Sequence, residues 1–146
     1  MAYCSEADIK KKIPSSELEQ LIDDTGSDSA PDKTARITAA ISNADSKINA
    51  FCGQKYTVPF STVPDVVKDL SVDISIWWLA SRRWNTIDMQ STIKMNNDKA
   101  ISLLEKISKG TVVLSVPDPA KNPNKVAATV ITSSSRILSR DSLKGF

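Results

Sequence analysis

A chain of 146 residues that is 40% apolar and 25% charged has the size and balance of one soluble domain with a single core, which excludes a disordered, collagenous or disulfide-stapled chain. Its net charge of +2 at pH 7 argues against binding nucleic acid through bulk charge. The longest strongly apolar stretch, Ile74 to Ala80, is too short to span a bilayer and no apolar secretory region opens the chain. A soluble cytosolic protein is therefore expected, with Cys4 and Cys52 reduced and buried.

The charge is unevenly spread. Residues 1–32 carry eight acids against three lysines, a local charge of −5, whereas from Lys121 onward five bases face only Asp141, a local charge of +4. Such a bipolar chain can stack on copies or partners, or it can simply be kept soluble by its surface charge.

A first helix is predicted from Ser5, whose hydroxyl can cap the free amides, with Asp8 completing an imperfect capping box. It ends near Lys12, so that Lys10, Lys11 and Lys12 meet the negative end of the helix dipole. A second short helix runs from Ser15 or Ser16 to Asp24 on a Leu18, Leu21, Ile22 stripe, and Gly26 ends it. The segment Thr25 to Asp32 reads as a surface loop. Its acids suggest calcium, but the ligand offsets, the sixth-position glycine and the closing glutamate of a calcium loop are missing, so no metal is expected.

The clearest helix is predicted over Asp32 to Cys52, where Ile37, Ile41, Ala44, Ile48 and Phe51 recur at spacings of four and three, with Gly53 as a left-handed cap. Gln54 to Pro64 is a packed loop, because its prolines prevent helix while Tyr56 and Phe60 can anchor it on the core. Pro64 then serves as the first-turn proline of a fourth helix to about Arg83, carrying Val67, Leu70, Ile74, Trp77, Trp78 and Ser81. Val72, Ile76 and Leu79 lie off that stripe, so this helix is either central or faces another subunit. A fifth helix, Asp88 to Lys109, shows Met89, Ile93, Ala100, Leu104 and Ile107 on one face and closes at Gly110.

Beyond Gly110 the β-prone runs Thr111 to Val116 and Val126 to Ile131 can pair as a short hairpin around Pro117, Pro119 and Pro123. Thr132 to Phe146 is a basic, Ser-rich arm whose apolar residues are too sparse to form a core. The fold class expected is mainly α: a bundle of about four to five helices, with a body over 1–110 and an extended arm over 111–146.

The chain has no histidine and four glycines, which removes the commonest general base, the usual zinc ligand sets and both glycine-rich phosphate motifs. Asp23 and Asp24 read as solvated acids at a helix end. Trp77, Trp78 and Trp84 beside Arg82 and Arg83 could bind nucleic acid, but adjacent helical residues point about 100° apart and form no single stacking platform. They are assigned, with Tyr56 and Phe60, to packing between subunits. No catalytic, cofactor-binding or metal-ligating residue is expected, and the protein is read as not an enzyme.

Four segments carry a family resemblance: Met1-Ala2-Tyr3-Cys4-Ser5 to Asp8, Gly53-Gln54-Lys55-Tyr56-Thr57-Val58-Pro59 with Val63-Pro64, the helix end before Gly110, and Arg136-Ile137-Leu138-Ser139-Arg140-Asp141-Ser142-Leu143-Lys144-Gly145-Phe146. On these the chain resembles the phage Mu-like small head protein family, which looks like the head-to-tail connector, or adaptor, proteins of long-tailed phages. It departs from the pattern by the stretch Pro117 to Lys125 and by Ile137 and Leu138 in place of an aromatic.

The resemblance implies a ring beneath the portal vertex, most often of twelve copies, with DNA passing its lumen without specific binding. The implied partners are the portal protein and a stopper or tail-completion protein, and the implied place is the virion neck, assembled in the bacterial host cytoplasm without a membrane. Arg136, Ile137, Leu138, Arg140, Leu143, Lys144 and Phe146 would dock on the portal or a neighbouring subunit. The competing readings are a DNA-binding or packaging module and a stopper or tail-completion protein of the same neck.

Overall fold

A computed structural model describes residues 2–82 and 87–115, the side chains of 87–90 excepted. Among them are five helices, α1 (Glu6–Lys12), α2 (Ser15–Ile22), α3 (Ala30–Cys52), α4 (Asp65–Ser81) and α5 (Ile87–Lys109), and no strand. The fold is mainly helical, as the apolar spacing requires. Residues 111–115 are irregular, and the remainder of the expected hairpin lies outside the described residues.

Local chemistry sets the helix ends. At α1 the capping box is complete: Ser5 Oγ accepts from the Asp8 N–H at 3.3 Å and the Ser5 N–H donates to Asp8 Oδ2 at 3.1 Å. The Ser5 hydroxyl also holds the Asp8 carboxyl down at about 2. Ser5→Ala is expected to cost about 1 kcal/mol; an unchanged thermal midpoint would show that the box does not matter.

Helix α2 ends at Ile22 and not at Asp24, because the Asp23 carboxylate turns back to accept the N–H groups of Gly26 and Asp28 at 2.7 and 3.3 Å, an alternative to continuing the helix. Helix α3 starts two residues before Asp32, with Pro31 in its first turn, where a missing N–H costs nothing. Pro64 is the N-cap of α4 and not a first-turn residue, and α4 ends at Ser81 with Arg82 as its C-cap.

Gly53 does not adopt the left-handed conformation expected of it: its φ is −60°. Its N–H donates to the Asn49 carbonyl at 2.8 Å, and a Cβ on Gly53 would lie 2.8 Å from that same oxygen. Glycine is therefore required for close approach and not for handedness. Gly110 does take a positive φ of 78°. There the Thr111 N–H reaches the Lys106 carbonyl at 2.9 Å and the Gly110 N–H that of Ile107 at 3.0 Å, a Schellman termination.

Helices α3, α4 and α5 run up, down and up. The C-terminal half of α3 (Ala44, Ile48, Cys52), the N-terminal half of α4 (Val67, Leu70, Ile74) and the C-terminal half of α5 (Ala100, Leu104, Ile107) share one core with Tyr3, Tyr56, Phe60 and Leu114. A second core joins Ile9, Leu18, Leu21 and Ile22 of α1 and α2 to Ile37, Ala40 and Ile41 of α3 and to Val72, Ile76 and Leu79 of α4. The two apolar stripes of α4 thus serve two cores, and among the sequence alternatives for this helix the central position is the one observed.

A polar seam crosses the waist between the cores. Ser71 Oγ, fully buried, lies 3.2 Å from both Cys4 Sγ and Asp45 Oδ1, and the Tyr3 N–H donates to Asp45 Oδ1 at 3.2 Å. Burial pushes the Asp45 carboxyl above the ordinary carboxylate value in spite of these donors. Cys4 and Cys52 are free and buried, and burial raises both thiols, Cys52 to about 11.

Asn97 interrupts the apolar face of α5 at 8% exposure, and its Oδ1 has no hydrogen-bond partner among the described residues. A buried, unpaired acceptor carries its desolvation cost without compensation. Asn97→Leu, similar in size, should raise stability by about 1 kcal/mol in urea unfolding; a loss of stability would show that the amide is needed.

Candidate assembly surfaces

The acidic front is largely tied down. In the α2–α3 loop Asp23 meets Lys33 of α3 at 2.9 Å, Asp24 meets Arg36 at 3.3 Å, and Asp28 pairs with Arg36. Asp24 also pairs with Arg82, whose guanidinium sits 5.5 Å from the centre of the Trp78 ring. These acids fasten the loop to α3 and to the end of α4, which corrects the reading of Asp23 and Asp24 as solvated acids; their partners are up to 58 positions away and not visible in local spacing. Lys10 and Lys11 pair within α1 with Glu6 and Asp8, while Lys12 reaches Asp73 of α4 at 2.8 Å.

The carboxyls of Asp8, Asp23 and Asp28 are all held below the ordinary carboxylate value of 3.8. For Asp8 and Asp28 the first cause is a side-chain hydrogen bond, from Ser5 and Arg36 respectively, and for Asp23 it is Lys33. A depressed carboxyl stabilises the fold above its unfolded pKa and loses that contribution as pH falls through its folded one. Stability should therefore drop as pH falls from 3.8 towards 2, with Asp45, whose pKa is raised, acting in the opposite sense. Asp28→Asn should flatten this acid limb; an unaltered limb would mean that the Arg36 pair is inert.

Described residues line a trough and a cleft. Helix α5 turns Ala100, Leu104 and Ile107 inward, and its opposite side forms a shallow trough of about 650 Å³ lined by Lys94, Met95, Asp98, Lys99, Leu103 and Lys106 together with two serines. Met95 is 48% exposed there, and three lysines against one aspartate make the trough basic. The sequence reading noted the inward face of α5 and missed this one. The legible signal was Met95 and Leu103, eight residues apart and flanked by lysines.

The second surface is a cleft of about 220 Å³ where the α1–α2 corner meets α4 and α5. Ile13, Ile76 and Ile93 line it, with Lys12, Glu17, Asp73, Thr92 and Asn96 around them. Glu17 is half-buried and has no ion pair among the described residues.

The residues assigned from sequence to subunit packing divide. Phe60 and Tyr56, at 2% and 9% exposure, lie in their own protomer's core: the α3–α4 loop folds inward, the Tyr56 hydroxyl accepts the Leu114 N–H at 2.9 Å, and the Phe60 ring lies 5.7 Å from that of Tyr3. They are corrected to core residues. Trp77 and Trp78 are half-buried, with Trp78 against the second core. Trp84, Arg83 and the arm residues Arg136, Ile137, Leu138, Arg140, Leu143, Lys144 and Phe146 lie outside the described residues.

Three of the four segments that carry the family resemblance converge in space, and the fourth, Arg136 to Phe146, lies outside the described residues. Tyr3 and Cys4, Tyr56 and the turn after Gly110 meet around the first core and the waist, so they act as framework. A family model described as "Bacteriophage Mu, Gp36" matches residues 3–132. The chain is also similar to the Mu-like prophage FluMu protein gp36 of Haemophilus influenzae, at 23% identity over 112 residues, which covers 77% of this chain and 76% of the relative. With the match spanning nearly the whole body and the start of the tail, the chain belongs to the bacteriophage Mu Gp36 family.

Proposed function

We propose that this phage structural and morphogenesis protein is a head-to-tail connector, an adaptor that closes into a ring beneath the portal and docks through its C-terminal arm. The observation that carries the reading is family membership over residues 3–132. The concave faces support it: a basic trough along α5 with Met95 exposed, and a cleft with a glutamate that has no ion pair among the described residues, are what a subunit that binds copies of itself would present. In this reading the protein works by assembly and not by turnover, and it needs no cofactor. Twelve copies surround a lumen that passes DNA, and the partners are the portal and the next neck component.

The test is to mix the purified protein with the portal protein of the same phage and to measure the mass and symmetry of the product. A ring of fixed stoichiometry on the portal is the expected result. Absence of any complex at concentrations where portals are intact would overturn the reading.

A further inference from the structure

We infer that the cleft between the α1–α2 corner, α4 and α5 receives the arm segment Arg136–Arg140 of a neighbouring copy. The inference rests on the ring reading above and adds to it the site that links one subunit to the next.

Three observations carry it. The cleft holds about 220 Å³, and roughly 150 Å³ already accommodates a benzene-sized group, so there is room for one aliphatic side chain and part of a second. Its apolar lining is three isoleucines, Ile13, Ile76 and Ile93, which suits the adjacent Ile137 and Leu138. Glu17, half-buried and without an ion pair among the described residues, stands beside the Lys12–Asp73 pair, so an occupant with apolar residues flanked by positive charge fits best. Arg136-Ile137-Leu138-Ser139-Arg140 has that pattern.

Reach permits a neighbour, and the proline-spaced connection and the charge of the cleft suit one. From Ser115 to Arg136 an extended chain covers about 70 Å, whereas α4 with 17 residues is about 25 Å long. Pro117, Pro119 and Pro123 bias the connection towards extended backbone, which suits spanning two bodies more than folding back. The cleft lining carries Lys12, Glu17 and Asp73, a net charge of −1, and the arm belongs to the basic tail, +4 from Lys121 onward. That pairing repeats from copy to copy and closes a ring by heterologous contacts.

The experiment pairs Thr92→Cys on the cleft with Leu138→Cys on the arm in one full-length chain, assembled on the portal protein of the same phage and mildly oxidised. Cys4 and Cys52 are buried and stay out of the exchange. A ladder of disulfide-linked dimers and higher oligomers on non-reducing gels is expected. Linked monomers alone would show that each arm fills its own cleft, and complete rings without any link would show that the arm lies elsewhere; either result overturns the inference and leaves the ring standing. Failure of the unmodified protein to assemble would overturn the ring reading and this inference together. As a second readout, Glu17→Gln should weaken assembly about fivefold, the worth of one partly exposed ion pair, without moving the thermal midpoint. Undiminished assembly would remove Glu17 from the contact.

Discussion

Phe60→Ala is expected to cost about 3–5 kcal/mol of stability, the range for truncating a buried aromatic. Phe60 is 2% exposed and shares one core with Tyr3, Tyr56 and Leu114. Its ring lies 5.7 Å from that of Tyr3 and 6.1 Å from that of Tyr56, and its N–H donates to the Tyr3 hydroxyl at 3.3 Å. The Tyr3 hydroxyl in turn donates to Asn49 Oδ1 on α3, and the Tyr56 hydroxyl accepts the Leu114 N–H at 2.9 Å. Removing the ring opens a cavity at the point where the N-terminal segment, the α3–α4 loop and the turn after α5 meet. Urea unfolding followed by circular dichroism measures the loss, and Tyr3→Phe separates polar from apolar contributions. That variant leaves the buried Phe60 N–H unpaired and should cost about 1–3 kcal/mol. A loss below about 1 kcal/mol for Phe60→Ala would mean that the loop is held by its backbone and not by its aromatics.

On the proposed connector role, deleting Arg136–Phe146 should abolish the joining of heads to tails while leaving the helical body folded. Among the described residues the two cores draw on positions up to Leu114, which the Tyr56 hydroxyl fastens. Thermal unfolding of the truncated protein should therefore match that of the full chain within about 0.5 kcal/mol, as for a change away from the core. Complementation of a phage lacking this gene reads the function. Few or no infectious particles, with filled heads and free tails accumulating side by side, is the expected outcome. Normal titres from the truncated protein would remove the arm as the docking element, and a large fall in thermal midpoint would show that the arm belongs to the folded body.

Much of the fold was legible in the sequence because helices are local. Ser5 with Asp8, the stripe Ile37, Ile41, Ala44, Ile48, and Gly110 after Lys109 each signal their structure within a few residues, and each appears where expected. The over-apolar pattern of α4 also correctly required cover on more than one side. Sequence spacing could not decide between cover from the chain itself and cover from a copy, since both bury the same residues.

What the sequence by itself determined, among the described residues, is the mainly helical class and the inward faces of the helices. Only the tertiary structure decided which partners those faces meet. Tyr56 and Phe60 became core residues because the loop folds back over Tyr3, and Asp23, Asp24 and Asp28 became fasteners because Lys33, Arg36 and Arg82 arrive from other helices. Gly53 is glycine because of a carbonyl 2.8 Å away and not because of its φ. The physical reason is common to all three. Periodicity and caps are set by energies between near neighbours in the chain, whereas ion pairs, ring contacts and close approaches depend on distances that exist only once α3, α4 and α5 have packed.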